Sequence, residues 1–377
     1  MTSRERLLAL LRGQPVVRIG HTMRGVRPWS PKWIAEHHPS YAPLVEAAAK
    51  HVDYCAPIGF EDGFYCSMAP VKMKKWAEEV PGHPEIENRV TVVEGPRGEL
   101  REVVSYNRTA QLPMTLEHFV KTPEDAENLL AMEYAPARPP VEPILEFDRY
   151  IGDRGLVMLS IRSDPVGELH DLLGTETLAF WSFEHRDLLH RLLGEFLRRK
   201  LDLIKYFAST GLCRKMPVVF AYTGPEIVAP PLHPPADFRE FCTVYNKPLG
   251  DLMHEAGAFV HVHCHGSISK MLEDFVEMGA DMLHPVEAPP MGDTPLAEAK
   301  RRIGDRVVLE ANVQISHVME EKPAEFRRRI EQTVAEGKPG GRFCLCPTAS
   351  PYAIELSERA LTNYLTMIEV AEEAGRY

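Results

Sequence analysis

Apolar positions along this chain cluster in short runs, and the longer stretches between them repeat at helical period. Eight runs read as strands: 16–22 (VVRIGHT), 52–58 (VDYCAPI), 156–162 (LVMLSIR), 217–223 (PVVFAYT), 258–264 (AFVHVHC), 281–287 (DMLHPVE), 306–312 (RVVLEAN) and 342–348 (RFCLCPT). Most are nearly continuous in apolar residues, as expected of parallel strands covered on both faces. Between them, apolar residues recur at three- and four-residue spacing over 31–50, 177–210, 237–256, 268–279, 294–303, 323–337 and 351–374, which predicts amphipathic helices. Eight strands in that alternation predict an α/β fold, a (β/α)8 TIM barrel, with an N-terminal helix in SRERLLALLRG. Two alternating runs flank a Gly/Pro turn in RVTVVEGPRGELREVVSYN and predict a β-hairpin, within an insertion over about 60–150 between strands 2 and 3. The proline-rich tracts YAPARPPVEP and VAPPLHPPADF read as extended loops, and residues 1–377 read as one domain.

Composition narrows the function classes. A formal net charge of -11 gives no basic footprint for nucleic acid, and stretches such as EFRRRIEQ read as solvated helix faces. There is no apolar run of about 18 residues, and the N-terminus lacks a signal-peptide pattern, so the expectation is a cytoplasmic protein without a membrane span. Seven cysteines, an odd number in a large chain, argue against a disulfide framework and leave thiols for other chemistry.

In such barrels the active site lies at the carboxyl ends of the strands. The residues there are unusually polar: His21 after the first strand, Asp164 after the third, Tyr222 in the fourth, His263 and His265 on the fifth, Glu287 on the sixth, Glu310 and Asn312 on the seventh, Cys344 and Cys346 on the eighth. Strand alternation puts His261, His263 and His265 on one face, with Val260, Val262 and Cys264 on the other. By the same period Cys344 and Cys346 share a face. Imidazole and thiolate suit zinc, and three such ligands leave a coordination position for substrate. The expected ligands are His263, His265 and Cys346, which end their strands; Cys344 is a fourth candidate, and His261 packs deeper. A buried histidine or cysteine alone is more often structural, so the weight rests on convergence of the two pairs. Glu287, Glu310 and Tyr222 are the candidate catalytic or ligand-orienting groups. His21, Arg24, Asp164 and Asn312 are candidates to meet substrate, although Asp164 before Pro165 equally suits a helix cap.

Four segments carry a family likeness: SRERLLALLRGQPVVRI, DPVGELHDLLGTETLAFW, the long block from HCHGSISK to LEANV, and CPTASPYAIELSERALTNYLTMIEVA. They resemble the uroporphyrinogen decarboxylase superfamily over nearly the whole chain. That superfamily has a (β/α)8 barrel and includes cofactor-free decarboxylases and zinc-dependent methyltransferases that work with corrinoid proteins or thiols. Its methyltransferases carry a His-x-Cys-Gly strand end and a later Cys as zinc ligands. HCHG matches at His263 and Gly266, puts His265 where Cys is usual, and Cys346 resembles the distal Cys. The decarboxylase segment Met-Arg-Gln-Ala-Gly-Arg-Tyr is similar to MRGVRPW, which keeps Met23, Arg24 and Arg27 but loses the spacing. The resemblance thus implies a methyltransferase using Zn2+ and a corrinoid (cobalamin) carried by a partner protein. Its donor would be a small-molecule O-methyl compound, a methoxyaromatic among the candidates, with transfer between corrinoid and a thiol as a variant; a homodimer stays open. Two alternatives remain: a porphyrinogen decarboxylase, and a barrel that binds a tetrapyrrole or corrinoid without turnover.

Overall fold

The computed structural model describes residues 1–109 and 112–377. Its strands are β1 (Gly20–His21), β2 (Tyr54–Ile58), β3 (Met73–Val80), β4 (His83–Gly95), β5 (Gly98–Asn107), β6 (Leu112–Glu117), β7 (Gly155–Ser163), β8 (Val219–Thr223), β9 (Phe259–Cys264), β10 (Met282–Pro285), β11 (Val308–Val313) and β12 (Phe343–Pro347). All eight strands expected for the barrel are present and form one eight-stranded sheet in the order β1-β12-β11-β10-β9-β8-β7-β2. The two edges of that order meet: the Asp53 N–H donates to the His21 carbonyl at 2.8 Å, and the Asp53 carboxylate accepts the His21 N–H at 3.0 Å. Joining first and last strands in this way is what closure of a TIM-type barrel requires.

The described residues gather into two compact units: Met1–Gly59, Pro140–Arg162 and Phe207–Tyr377 form the first, and Phe60–Pro139 with Ser163–Tyr206 the second. The first holds the barrel sheet. Its N-terminal helix, Ser3–Leu11, is set by a Thr2/Glu5 capping box, and Leu7, Leu10 and Leu11 pack with Leu156, Val219, Met282 and Val308 in one apolar cluster. Those partners stand near the amino ends of their strands, so the helix plugs that end and leaves the carboxyl end for chemistry.

The second unit contains an antiparallel sheet, β3-β4-β5-β6. Its centre is the expected hairpin, β4 and β5, whose register runs down to Gly95 opposite Gly98 at the turn. The sheet has two strands more than expected, and the unit also takes in Ser163–Tyr206, beyond the insertion bounds read from sequence. Helices Pro123–Leu130, Glu142–Ile151 and Ile315–Glu320 were not expected either, each being short. Among the described residues no helix is long and apolar enough to cross a membrane.

Candidate active site

Parallel register stacks polar side chains in the barrel's upper interior. His263 stands opposite His284, Met282 opposite Val308, and Glu310 opposite Cys344, so His263, His284, Glu310 and Cys344 occupy one row across β9 to β12. Beside this row lies a cavity of about 270 Å³. Its wall includes Thr22, Arg24, Arg27, Trp29, Ser160, Arg162, Tyr222, Thr223, His261, His263 and Glu310. Its volume falls just under the range of about 300–1,000 Å³ usual for drug-sized ligands, so it suits a ligand of roughly one ring with substituents.

Each polar member of the row has a directed partner. Thr22 Oγ1 donates to Glu310 Oε1, and His261 Nε2 donates to Glu310 Oε2 at 2.8 Å. Burial pushes the Glu310 carboxyl up, but the His261 hydrogen bond, the nearby imidazoles and the Thr22 hydroxyl outweigh it and hold it at about 2. His284 Nε2 lies 3.0 Å from the Pro347 carbonyl, and its Nδ1 lies 2.8 Å from His263 Nδ1. Burial lowers the His284 imidazole to about 3 and drives His263 well below the ordinary histidine range, with His284 and Arg24 adding to the latter. Just past β9, His265 Nδ1 is 3.1 Å from Glu287 Oε2, which also accepts the Gly266 N–H at 2.9 Å. Burial raises the Glu287 carboxyl, yet the His265 and Gly266 hydrogen bonds bring it below its ordinary value.

The imidazoles of His263 and His265 lie 4.6 Å apart, centroid to centroid, at right angles. Each has its Nδ1 engaged by an orienting partner, the arrangement by which metal-binding histidines are held for coordination through Nε2. The donor pair therefore suits a zinc ion. The expected triad is nevertheless not assembled: among the described residues no three His, Cys, Asp or Glu side chains are grouped as a metal site needs. Cys346 is buried in β12, with the Thr22 hydroxyl and the Arg24 main-chain N–H as neighbours; burial and Glu310 push its thiol well above the ordinary range. Cys344 sits deeper, in the apolar cluster with Leu10, and its sulfur is 3.4 Å from Thr22 Oγ1.

Other candidates fall in different places. His21 is fully buried and does not line the cavity: Thr22 takes the inward position, so alternation turns His21 outward. Its ring nitrogens have no partner among the described residues, and burial, reinforced by Arg18 and His51, lowers the ring to about 3. Asp164 accepts the Gly167 N–H at 2.8 Å as N-cap of the helix Pro165–Glu184 and is not a cavity residue. Asn312 stands opposite Cys346 in the sheet and is likewise outside the cavity wall. Arg24 and Tyr222 do line it.

Sequence reasoning passed over His284, Arg162 and Ser160. His284 carried a usable signal, since it alternates with the inward Met282. Arg162 carried none: it is the penultimate residue of β7, at φ 63°, a left-handed conformation costing a non-glycine residue about 1–2 kcal/mol. Arg24, Arg27 and Arg162 are all exposed at the cavity, and Arg24 and Arg27 have no ion-pair partner among the described residues.

Residues 169–347 match the model of the uroporphyrinogen decarboxylase (URO-D) family. No curated protein matches the chain. Among solved structures, a methyltransferase from Methanosarcina mazei shares the fold at a TM-score of 0.60, with 17% sequence identity over 99% of both chains.

Proposed function

With residues 169–347 matching the uroporphyrinogen decarboxylase (URO-D) family model, we propose that this chain is a methyltransferase. In this reading it moves a methyl group from a small O-methyl donor, a methoxyaromatic acid among the candidates, to a corrinoid carried by a partner protein. The observation that carries the reading is the pair His263 and His265, each held at Nδ1 by a buried partner. Cofactor-free decarboxylation has no use for two imidazoles prepared in this way. The solved methyltransferase with the same fold is consistent with the reading.

In this proposal His263 and His265 hold zinc, Cys346 is drawn in as the third donor, and Cys344 stays in the core. Bound there, zinc would supply Lewis acidity to an ether oxygen. The chain's own residues do the rest. Arg24, Arg27 and Arg162 attract and orient an anionic end of the donor. Trp29, Met23 and Val26 give the cavity an apolar wall that excludes water from the methyl group. Glu287 orients His265, and Glu310, held by Thr22 and His261, keeps a fixed negative charge within the row.

The unpaired Arg24 and Arg27 favour a second reading, decarboxylation of a polycarboxylate, which the small cavity disfavours for a tetrapyrrole. Two assays separate the readings. The first is zinc content of freshly purified protein and of Cys346→Ala; the second is methylation of cob(I)alamin by methoxybenzoates, set against CO2 release from uroporphyrinogen. About one zinc per chain, lost in the variant, with methyl transfer supports the proposal. A metal-free chain that stays metal-free when offered zinc, or one that releases CO2, refutes it.

A further inference from the structure

The chain Pro347 carbonyl, His284, His263 runs in one direction only. A carbonyl oxygen can only accept, so His284 must carry its proton on Nε2, 3.0 Å from Pro347 O. Fully buried, and with no carboxylate bonded to either ring nitrogen, the His284 ring is neutral, so its Nδ1 is then a bare lone pair. The contact of 2.8 Å to His263 Nδ1 can be a hydrogen bond only if His263 carries its proton on Nδ1. His284 is fully buried, so no water substitutes for either partner. His263 in turn lines the cavity, and its Nε2 has no partner among the described residues.

We infer that His284 is a positioning residue: its relay to the Pro347 carbonyl fixes the tautomer of His263 and turns the Nε2 lone pair of His263 to the cavity as a ready donor. An isolated histidine favours no such assignment strongly, because which nitrogen is protonated depends on what the other one bonds. The inference rests on the proposed function only in taking a metal as the recipient of that lone pair. The relay itself holds whether or not metal binds.

Two substitutions separate relay from packing. In His284→Gln the side-chain amide donates to Pro347 O and its carbonyl accepts from His263, so the relay survives in altered shape. In His284→Phe the ring volume survives and the relay is lost. The first measurement is the 15N chemical shift pattern of histidines in the metal-free full chain. His263 is expected as a single Nδ1–H tautomer in the parent and in His284→Gln, and as a tautomer mixture in His284→Phe. The second is Zn2+ affinity by competition with a chromophoric chelator. His284→Phe is expected to bind about 10–100-fold more weakly, the usual effect of removing a ligand's orienting partner, with His284→Gln recovering most of the loss.

An Nε2–H tautomer for His263 in the parent overturns the inference, whatever the metal does. So does a His284→Phe variant that keeps the parent tautomer and affinity, or a His284→Gln variant that falls as far as His284→Phe. The expected tautomer in a chain that binds no zinc leaves the relay standing and refutes the proposed metal instead.

Discussion

Asp53 joins the ends of the barrel sheet, and substitution there tests how much that seam holds. Its carboxylate is fully buried; it pairs with Arg6, lies 3.6 Å from Arg18, and accepts the His21 N–H. Asp53→Asn keeps the shape and can still accept from His21, but leaves the Arg6 guanidinium, only 8% exposed, without a counter-charge. Removing one partner of a buried pair costs about 3–5 kcal/mol, because the other is left as an uncompensated buried charge. Asp53→Ala also orphans the His21 N–H, adding about 1–3 kcal/mol. With a urea slope of about 2–3 kcal/mol per molar, the asparagine variant should lose roughly 1–2 M in midpoint. The double variant Arg6→Met/Asp53→Asn should regain much of this loss, since apolar replacement of a whole pair is often near neutral. Urea unfolding followed by hydrogen exchange at the His21 and Asp53 amides reads both the size and the place of the effect. A single variant within about 1 kcal/mol of the parent, or a double variant whose loss is the sum of the singles, would show that the pair is not the latch described here.

In the second unit, Lys200 and Glu168 form an ion pair of 2.9 Å with both side chains essentially unexposed; Lys200→Met should cost about 3–5 kcal/mol by chemical denaturation, and adding Glu168→Leu should recover most of it. The 2.9 Å hydrogen bond to Asp281 raises the His254 imidazole above its ordinary value, so its stabilisation is complete below the unfolded value near 6.5 and is lost as pH rises through the higher folded one; the gap between the parent and His254→Gln in urea midpoint should close across that window, and a pH-independent gap refutes it. Arg24→Gln should weaken binding of benzoate, measured by calorimetry, about tenfold or more, the loss of one charge-assisted hydrogen bond; unchanged affinity would remove Arg24 from the anion site.

The barrel was legible because parallel strands buried on both faces leave a signal that few other elements imitate. β11 and β12 are apolar at most positions, and the structure bounds them within two residues of the expected ranges. The inserted sheet was legible only at β4 and β5, where a Gly/Pro turn separates two alternating runs. β3 is exposed along nearly its whole length and reads MKKWAEEV, so no buried face marked it as a strand. The long helix expected over 31–50 is divided in the structure at the Pro39 turn, since proline disfavours helix at the residue before it. At the site, alternation alone put His263 on the cavity side, whereas His261, expected to pack deeper, lines the cavity as well. It misplaced His21, because a two-residue β1 gives too short a run to fix parity. It also took Cys346 to meet the histidines, which depends on how far around the ring and how deep each side chain reaches, and strand period carries neither quantity.

What the sequence hides is the row. His263, His284 and Glu310 are 21 and 26 residues apart in sequence, yet sheet register sets them side by side. Such a row is a poor way to fill a barrel. Each buried polar group carries a desolvation cost that a leucine or valine avoids, and only complete pairing offsets it. Here the pairing is directional: Thr22 and His261 both donate to Glu310, and His263 donates through His284 to Pro347. Every donor named here points away from His263 Nε2, and the network leaves over two acceptors among the described residues, that nitrogen and the buried Nδ1 of His261. A network selected for stability alone would have closed on itself or been replaced by apolar side chains of the same volume. One that leaves a lone pair unused at the wall of a cavity, as at His263 Nε2, is built to hold something there.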